Sequence, residues 1–279
     1  ITRYREILMN NRYLDLKEII VCPDCRSEVI FDKNSIECCS CKRVFHIDND
    51  IPQFALYSKG KDETCDKPTA YYEQRYKDFV RAQHYNQKYA EQLLKRMSTK
   101  REYQLINKLL GAQPHCQTLL EIPCGGGRLS SQLVKATDML IQADIAVGQI
   151  QYLLQKNRLV LQNIRHAYMT ASAFKMPFQD SSIDGLVCVR LSHHISTLGQ
   201  RQDLLEELLR VSKKFVLMTF FDSRSFKNIF RQIKGKKQKF TLSVSQVNDI
   251  ANRNGASLVA CPRLSVIGSG HRYALLIKQ

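Results

Sequence analysis

The stretch from residue 119 to residue 129 combines an apolar run, a carboxylate and three consecutive glycines. The apolar run ends in Glu121, the glycines occupy positions 125–127, and a helix-like segment begins at Leu129. This order predicts a strand, a tight turn and a helix, the first unit of a doubly wound α/β sheet that binds a nucleotide at its strand ends. Glycine lets the backbone approach a ligand closely, and the carboxylate of Glu121 suits a positively charged group on that ligand.

A second acid, Asp144, ends the next apolar run, which begins at Met139. It falls near the position, roughly 20 residues beyond a glycine turn, where an acid that binds ribose hydroxyls is expected. Two common nucleotide loops are missing from this region. There is no Gly-Lys-Ser/Thr sequence, which argues against a phosphate-cradling loop, and Pro123 interrupts the spacing of a dinucleotide-binding loop.

The remaining pattern resembles the first motif of class I S-adenosylmethionine-dependent methyltransferases, acid-x-Gly-x-Gly-x-Gly, with Pro123 in place of the first glycine. Residues 171–188 resemble the segment of that family that runs from the adenine-binding loop into the fourth strand. Residues 191–195, Leu-Ser-His-His-Ile, resemble the Leu-His-His segment that follows this strand in many small-molecule methyltransferases. The resemblance covers about residues 100–279 and depends on the ordered combination of these motifs.

The resemblance implies an α/β fold, a doubly wound and mostly parallel seven-stranded Rossmann-like sheet, and S-adenosylmethionine as cofactor. It places Glu121 near the amino end of the cofactor, Asp144 on the ribose, and Ile145 on the adenine face. Ser172 stands where the family often has an Asp that bonds the adenine amine, so a weaker adenine contact is expected there. The cofactor contacts expected on this basis are Glu121, Pro123, Cys124, Gly125, Gly127, Asp144, Ile145, Ser172, Ala173 and Arg190.

Four of the ten cysteines form two Cys-x-x-Cys pairs, Cys22 with Cys25 and Cys38 with Cys41, separated by 12 residues. Each pair places two thiolates on one tight turn, and two such turns complete a tetrahedral Zn²⁺ site. The residues between the pairs alternate as in a β-hairpin. Since four thiolates leave no open coordination position, the zinc is expected to be structural.

Residues 20–54 resemble the small zinc-ribbon module that precedes many bacterial methyltransferase domains. His46 falls on a proline of that module's pattern, which argues against His46 as a metal ligand, and Cys39 belongs to neither pair. The chain is therefore divided into an N-terminal helix and zinc ribbon at residues 1–57, a linker and helical lid segment at 58–110, and a methyltransferase domain at 111–279.

Several elements are predicted along the chain. An amphipathic helix is expected over residues 1–19 and a polar linker over 55–70, followed by a basic helical segment at 70–110 whose Tyr71-Tyr72 pair resembles a cofactor lid. A leucine-rich helix is expected near 200–213. Strands are expected at 118–122, 139–143, 166–169, 184–189, 214–221, 257–261 and 272–278.

The 279 residues carry a net charge of +16, and no apolar run approaches the ~20 residues that span a bilayer. No secretory signal is recognised at the start, so a cytoplasmic location is expected, with peripheral membrane contact as an option. The densest basic stretch, 222–240, holds seven Lys or Arg against one Asp. Its apolar residues recur at helical spacing, which suits an anionic membrane or a phosphorylated substrate, or equally a helix that packs its apolar face on the sheet.

Two classes of methyl acceptor fit these features. A small or lipid-linked, anionic metabolite is favoured by the basic apolar helix and by His193 and His194, either of which is suited to act as a catalytic base. His271 is a further candidate. Ribosomal RNA is the alternative, favoured by the zinc ribbon and the charge, although the Asn-Pro-Pro-Tyr type motif is absent. A non-catalytic, cofactor-binding partner subunit is a third interpretation.

Overall fold

The computed structural model describes residues 12–55, 79–91, 93–235, 241–265 and 269–279. Within these ranges the chain forms a four-stranded antiparallel sheet near the N-terminus and a seven-stranded sheet that is mostly parallel. The small sheet has the order β1-β2-β3-β4. Its strands are β1 (Val29–Phe31), β2 (Ser35–Cys38), β3 (Val44–Asp48) and β4 (Ile51–Pro52).

The large sheet has the order β10-β11-β9-β8-β5-β6-β7, in which β11 runs antiparallel to both neighbours. All seven strands predicted from the sequence are present, and no end differs from the prediction by more than two residues. This is the Rossmann-like methyltransferase fold that the resemblance implied. The strands are β5 (Cys116–Glu121), β6 (Thr137–Asp144), β7 (Arg165–Thr170), β8 (Ile183–Cys188), β9 (Ser212–Phe221), β10 (Ala256–Ala260) and β11 (His271–Lys278).

Helices flank this sheet, and the buried apolar side chains of the domain form two separate clusters. Every residue of β8 is buried, as expected for a parallel strand covered on both faces. The leucine-rich helix predicted near 200–213 is confirmed as α6. The helices are α1 (Phe79–Glu91), α2 (Leu93–Gly111), α3 (Ser130–Leu133), α4 (Val147–Lys156), α5 (Arg158–Leu161), α6 (Leu198–Val211), α7 (Phe226–Ile233) and α8 (Val244–Arg253).

The small sheet packs against the edge of the large one. The backbone N–H of Val21 donates to the carbonyl of Pro177 at 3.1 Å, and that of Phe54 donates to Thr170, the last residue of β7, at 3.0 Å. Phe45 of the small sheet and Phe54, which follows it, belong to the same buried apolar cluster as side chains of β6 and β7. The N-terminal sheet therefore covers the β7 edge of the main sheet.

Some predictions are corrected, and others fall outside the described residues. The described part of the predicted N-terminal helix is a short 3-10 helix, Tyr13–Leu16. It does not reach residue 19, because Ile20 pairs with Phe178 instead. Residues 1–11, the linker from residue 56 onward and the Tyr71-Tyr72 pair lie outside the described part of the chain, and the division at residues 57 and 110 stays a prediction.

No helix in the described ranges is long and apolar enough to cross a bilayer.

Candidate cofactor and metal sites

The glycine turn connects the end of β5 to α3 along the carboxyl edge of the sheet. It follows a cis peptide bond between Ile122 and Pro123, and the backbone N–H of Cys124 donates to the carbonyl of Ala143 on β6 at 2.9 Å. Gly125 and Gly127 have φ angles of +52° and +72°, a conformation that side chains disfavour. The turn therefore requires these two glycines, and it presents backbone rather than side chains at the sheet edge.

Asp144, the last residue of β6, points back at this turn. Its Oδ2 accepts the backbone N–H of Gly125 at 2.9 Å, and its Oδ1 accepts that of Ala146 at 3.0 Å. Burial raises the pKa of Asp144 to about 6, although these backbone donors act to lower it. Each carboxylate oxygen keeps a lone pair beyond the one used, so the group can still accept hydrogen bonds from a pair of ligand hydroxyls.

Glu121, the last residue of β5, is almost fully buried and faces Gln142 on the neighbouring strand. Gln142 donates its Nε2–H to Glu121 Oε2 and, at 3.0 Å, to Ser130 Oγ. Burial raises the pKa of Glu121 to about 8, and the Gln142 hydrogen bond and the Arg128 charge offset only part of that rise. A buried carboxyl held in this way suits a ligand cation, because the cation would stabilise its ionised form.

The loop after β7 carries the residues expected beside an adenine. It is tied to the site because the backbone N–H of Ala171 donates to the carbonyl of Asp144 at 3.1 Å. Ser172 is half-buried, and its Oγ accepts the backbone N–H of Phe174 at 3.3 Å. A hydroxyl that accepts one hydrogen bond can also donate its proton. Ala173 is buried and Ile145 is half-buried on the adjacent loop. Contacts of these three residues with adenine stay a prediction.

Helix α1 lies directly against the glycine turn. Asn86 of α1 donates its Nδ2–H to Gln149 Oε1 on α4 at 3.0 Å. A Cβ added to Gly126 would lie 2.5 Å from the same nitrogen, so a side chain at this position would displace the Asn86 amide. The turn is thus enclosed by α1 on one side and by β5 and β6 on the other.

Glu102 of α2 is a buried carboxylate that binds two arginines, one of which follows the glycine turn. It is fully inaccessible and pairs with Arg128, which follows the glycines, and with Arg190, which follows β8. Tyr273 of β11 donates its hydroxyl to the same carboxylate. Burial acts to raise the pKa of Glu102, but the two guanidinium groups outweigh it and the net pKa is lowered. Glu102 is not predictable from the sequence, because nothing in the local pattern of α2 distinguishes it.

Arg190 has a positive φ of +65°, and its backbone N–H donates to Thr219 Oγ1 at 2.7 Å. Its guanidinium makes two hydrogen bonds of 3.1 Å to Glu102. The geometry therefore gives Arg190 a definite partner within the protein. Its expected contact with the cofactor stays a prediction.

Three histidines and a phenylalanine lie together at the carboxyl edge of the main sheet. The ring centroid of His193 lies 4.0 Å from that of His194 and 4.9 Å from that of His271. The ring of Phe221 stacks on His271 at 4.1 Å and meets His193 edge-on at 4.9 Å. His271 is buried. The fold thus joins the two histidines that follow β8 with the further candidate on β11, and together with Phe221 they are called the histidine cluster below.

The four predicted zinc ligands converge in the small sheet. The Sγ atoms of Cys22 and Cys41 are 3.6 Å apart, those of Cys25 and Cys38 are 3.3 Å apart, and all four lie within 4.8 Å of one another. A tetrahedral zinc ion with bonds of about 2.3 Å would space its sulfur ligands about 3.8 Å apart. The donor set fits a structural Zn²⁺, and His46 does not belong to the cluster.

The sheet has the fold of class I methyltransferases. Its carboxyl edge carries Glu121 and the glycine turn in the order that the first motif of these enzymes has, followed by Asp144. Residues 120–218 match the family model of a methyltransferase domain. The chain therefore contains the domain of an S-adenosylmethionine-dependent methyltransferase, joined to a four-cysteine ribbon. The curated protein sequences gave no significant match.

Two solved structures illustrate the likeness of the fold. Magnesium protoporphyrin IX methyltransferase from Synechocystis PCC 6803 with bound S-adenosylmethionine superimposes with a TM-score of 0.60 at 14% identity, covering 78% of this chain and 100% of that chain. The N-methyltransferase NodS from Bradyrhizobium japonicum WM9, in complex with S-adenosyl-L-homocysteine, gives 0.56 at 10% identity, covering 76% and 99%. At these identities the likeness concerns the fold alone.

Proposed function

We propose that this methyltransferase acts on a small or lipid-linked, anionic acceptor, and that the histidine cluster supplies the base that receives the acceptor's proton. The observation that carries this proposal is that the ring of His193 contacts the rings of His194, His271 and Phe221. Imidazole is the side chain best suited to accept a proton near neutral pH.

The strand order brings this cluster near the cofactor-binding edge. β8 is the direct neighbour of β5, with Glu121 opposite Val187, so the loop that carries His193 begins beside the glycine turn. His271 is paired with Phe221, the last residue of β9, at the same edge. Both loops therefore open at the edge where Glu121 and Asp144 end their strands.

S-adenosylmethionine would supply a methyl group bound to a sulfonium sulfur. The acceptor atom bonds to the methyl carbon, and the sulfur is the leaving group. The protein's part is to orient the acceptor and to exclude water. Where the acceptor is a hydroxyl or an acidic carbon, an imidazole of the histidine cluster takes the proton that is released as the new bond to carbon forms. Glu121 would hold the cationic amino end of the cofactor, and Asp144 would hold its ribose hydroxyls.

Charge supports an anionic acceptor. The whole chain carries +16, and residues 222–240, which follow β9 in the sequence, hold seven Lys or Arg against one Asp. Such a field raises the local concentration of anionic ligands and repels cations. The same charge would also attract RNA, so ribosomal RNA is retained as the second candidate acceptor.

The test is transfer from radiolabelled S-adenosylmethionine into a lysate of the source organism, separated into RNA, protein, lipid and small-molecule fractions. We expect label in the lipid or small-molecule fraction. Label confined to RNA would replace the proposed acceptor by ribosomal RNA. The Asp144→Ala variant serves as the control, because it should lose transfer to every fraction, and incorporation that persists in this variant would come from other enzymes of the lysate.

A further inference from the structure

Helix α7 presents its apolar face to solvent. Its four large apolar residues recur at helical spacing, and all are exposed: Phe226 by 58%, Ile229 by 42%, Phe230 by 57% and Ile233 by 76%. An ordinary amphipathic helix of a globular protein does the reverse. The interpretation that this helix packs its apolar face on the sheet is therefore wrong.

Polar contacts fix this orientation. Asn228, on the opposite side of α7, is buried and donates its Nδ2–H to the carbonyl of Asp222 at 2.8 Å. Ser225 is buried where the helix begins, and its carbonyl accepts the backbone N–H of Ile229 at 3.0 Å. Asp222 is itself held by Arg272 at 2.7 Å. The helix is thus fastened to the domain through its polar side, which leaves the apolar side outward.

The segment of the sequence that contains α7 carries charge of a single sign. No Asp or Glu occurs from Ser223 to Asn248, whereas seven Lys or Arg fall between Arg224 and Lys239. Arg224 is exposed at the start of the helix. At the other end, Lys234 places its Nζ 4.5 Å from the centre of the Phe230 ring. Exposed aromatic and aliphatic groups beside cations are the composition of helices that lie in the interface of an anionic bilayer.

The helix also begins next to the histidine cluster. A Cβ added to Gly270, the residue before His271, would lie 2.9 Å from both the Phe221 ring and Ser225 Oγ. A surface that docks through α7 is therefore brought close to the candidate acceptor site.

We propose that the outer face of α7 is a docking surface for an anionic phospholipid bilayer. The four apolar side chains enter the interface and the neighbouring cations contact lipid headgroups. A second copy of the chain is disfavoured as the occupant, because each copy carries +16. RNA is disfavoured because phosphate contacts need cations but not two exposed isoleucines. The inference goes beyond the proposed function, since it holds whatever the methyl acceptor is.

The test is sedimentation of the full chain with phosphatidylcholine vesicles, with and without phosphatidylglycerol. We expect binding only when phosphatidylglycerol is present. The double variant Phe230→Ser, Ile233→Ser should bind about tenfold more weakly, because two apolar side chains no longer enter the interface. Leu159→Ser is the matched control, since Leu159 is also 76% exposed but lies on α5, and it should bind like the wild type.

A second pair of changes separates charge from apolar contact. Arg224→Gln and Lys234→Gln should each weaken binding about fivefold, and added salt should reduce the difference. Unchanged cofactor affinity and melting temperature would show that the variants remain folded.

Three outcomes would overturn the proposal. The first is equal vesicle binding by the wild type and the double serine variant, or no vesicle binding at low salt. The second is a dimer in sedimentation velocity that the double serine variant abolishes, which would assign the face to a second copy. The third is binding of a labelled RNA oligonucleotide that the double serine variant loses while vesicles do not bind.

Discussion

The carboxylate of Asp144 accepts the backbone N–H of Gly125 at 2.9 Å, so the acid that ends β6 also holds the glycine turn that follows β5. Gly125 adopts a positive φ of +52° in that turn. One side chain thus shapes the turn and presents its remaining lone pairs to the ligand. Removing it affects both the geometry and the hydrogen bonds of the cofactor site.

We expect Asp144→Ala to lower the affinity for S-adenosylmethionine by about 100-fold or more, because hydrogen bonds to an ionised group are lost and the turn is loosened. Isothermal titration calorimetry measures this directly. Asp138→Ala is the matched control, since Asp138 lies near the opposite end of the same strand and is exposed. Wild-type affinity in Asp144→Ala would refute the assigned role of Asp144.

Glu121 predicts a pH dependence of stability. Burial raises its pKa to about 8, so between an unfolded pKa near 4.5 and that value the folded state holds a proton that the unfolded state has released. The free energy of unfolding should therefore fall as pH rises through this window, by on the order of 5 kcal/mol from this group. In Glu121→Gln this decrease in the free energy of unfolding should be absent. Urea unfolding at several pH values measures it. Parallel curves for both proteins would contradict the prediction.

The same carboxyl predicts a pH dependence of cofactor binding. A cationic amino group beside Glu121 lowers its pKa, so binding near neutral pH releases a proton and the affinity should rise up to about pH 8. Glu121→Gln should bind more weakly and lose this component. Calorimetry in two buffers of different ionisation enthalpy measures the proton released. An unchanged proton count in the variant would show that Glu121 does not meet the cation.

Zinc removal should unfold the N-terminal sheet. Cys22→Ser removes one of four clustered thiolates, so we expect metal content to fall well below one ion per chain and the melting temperature to drop. Colorimetric zinc release quantifies the metal. Cys39→Ser is the control, because Cys39 is exposed and lies outside the cluster. Full zinc content in Cys22→Ser would refute the ligand assignment.

Glu102→Ala should destabilise the protein by about 3 kcal/mol or more, since it leaves Arg128 and Arg190 without the carboxylate that both share. Glu102→Gln keeps the shape but not the charge, and we expect an intermediate loss. Chemical denaturation provides the comparison, with Glu37→Ala on an exposed position of β2 as the control. If Glu102→Ala lowers the free energy of unfolding no more than Glu37→Ala does, the prediction that Glu102 stabilises the fold is wrong.

His193→Asn or His271→Asn should reduce turnover by about 100-fold to 10,000-fold and leave cofactor affinity unchanged, as for loss of a general base. The wild-type rate should fall at acidic pH, because a protonated imidazole accepts no proton. His115→Asn is the control, since His115 is exposed and paired with Asp138 at the opposite edge of the sheet. Wild-type turnover in both substituted enzymes would show that methyl transfer requires no base from the histidine cluster.

The strands of the main sheet were predictable, whereas their order came from the three-dimensional structure. Short apolar runs between turn residues indicate buried strands, because a parallel strand is covered on both faces. The position of β11 between β9 and β10 depends on contacts between segments far apart along the chain, to which a local pattern is insensitive. The same holds for the attachment of the small sheet at Thr170.

By itself, the sequence determined the glycine turn with its two acids and the four-cysteine cluster. Each of these sets is confined to a short segment in which spacing fixes the local geometry, so the chemistry follows from residue types. The tertiary structure alone decided that Glu102 joins Arg128 to Arg190, that His271 meets His193, and that α7 turns its apolar face outward. These relationships depend on which distant surfaces pack together, and periodicity along one segment does not specify its partner.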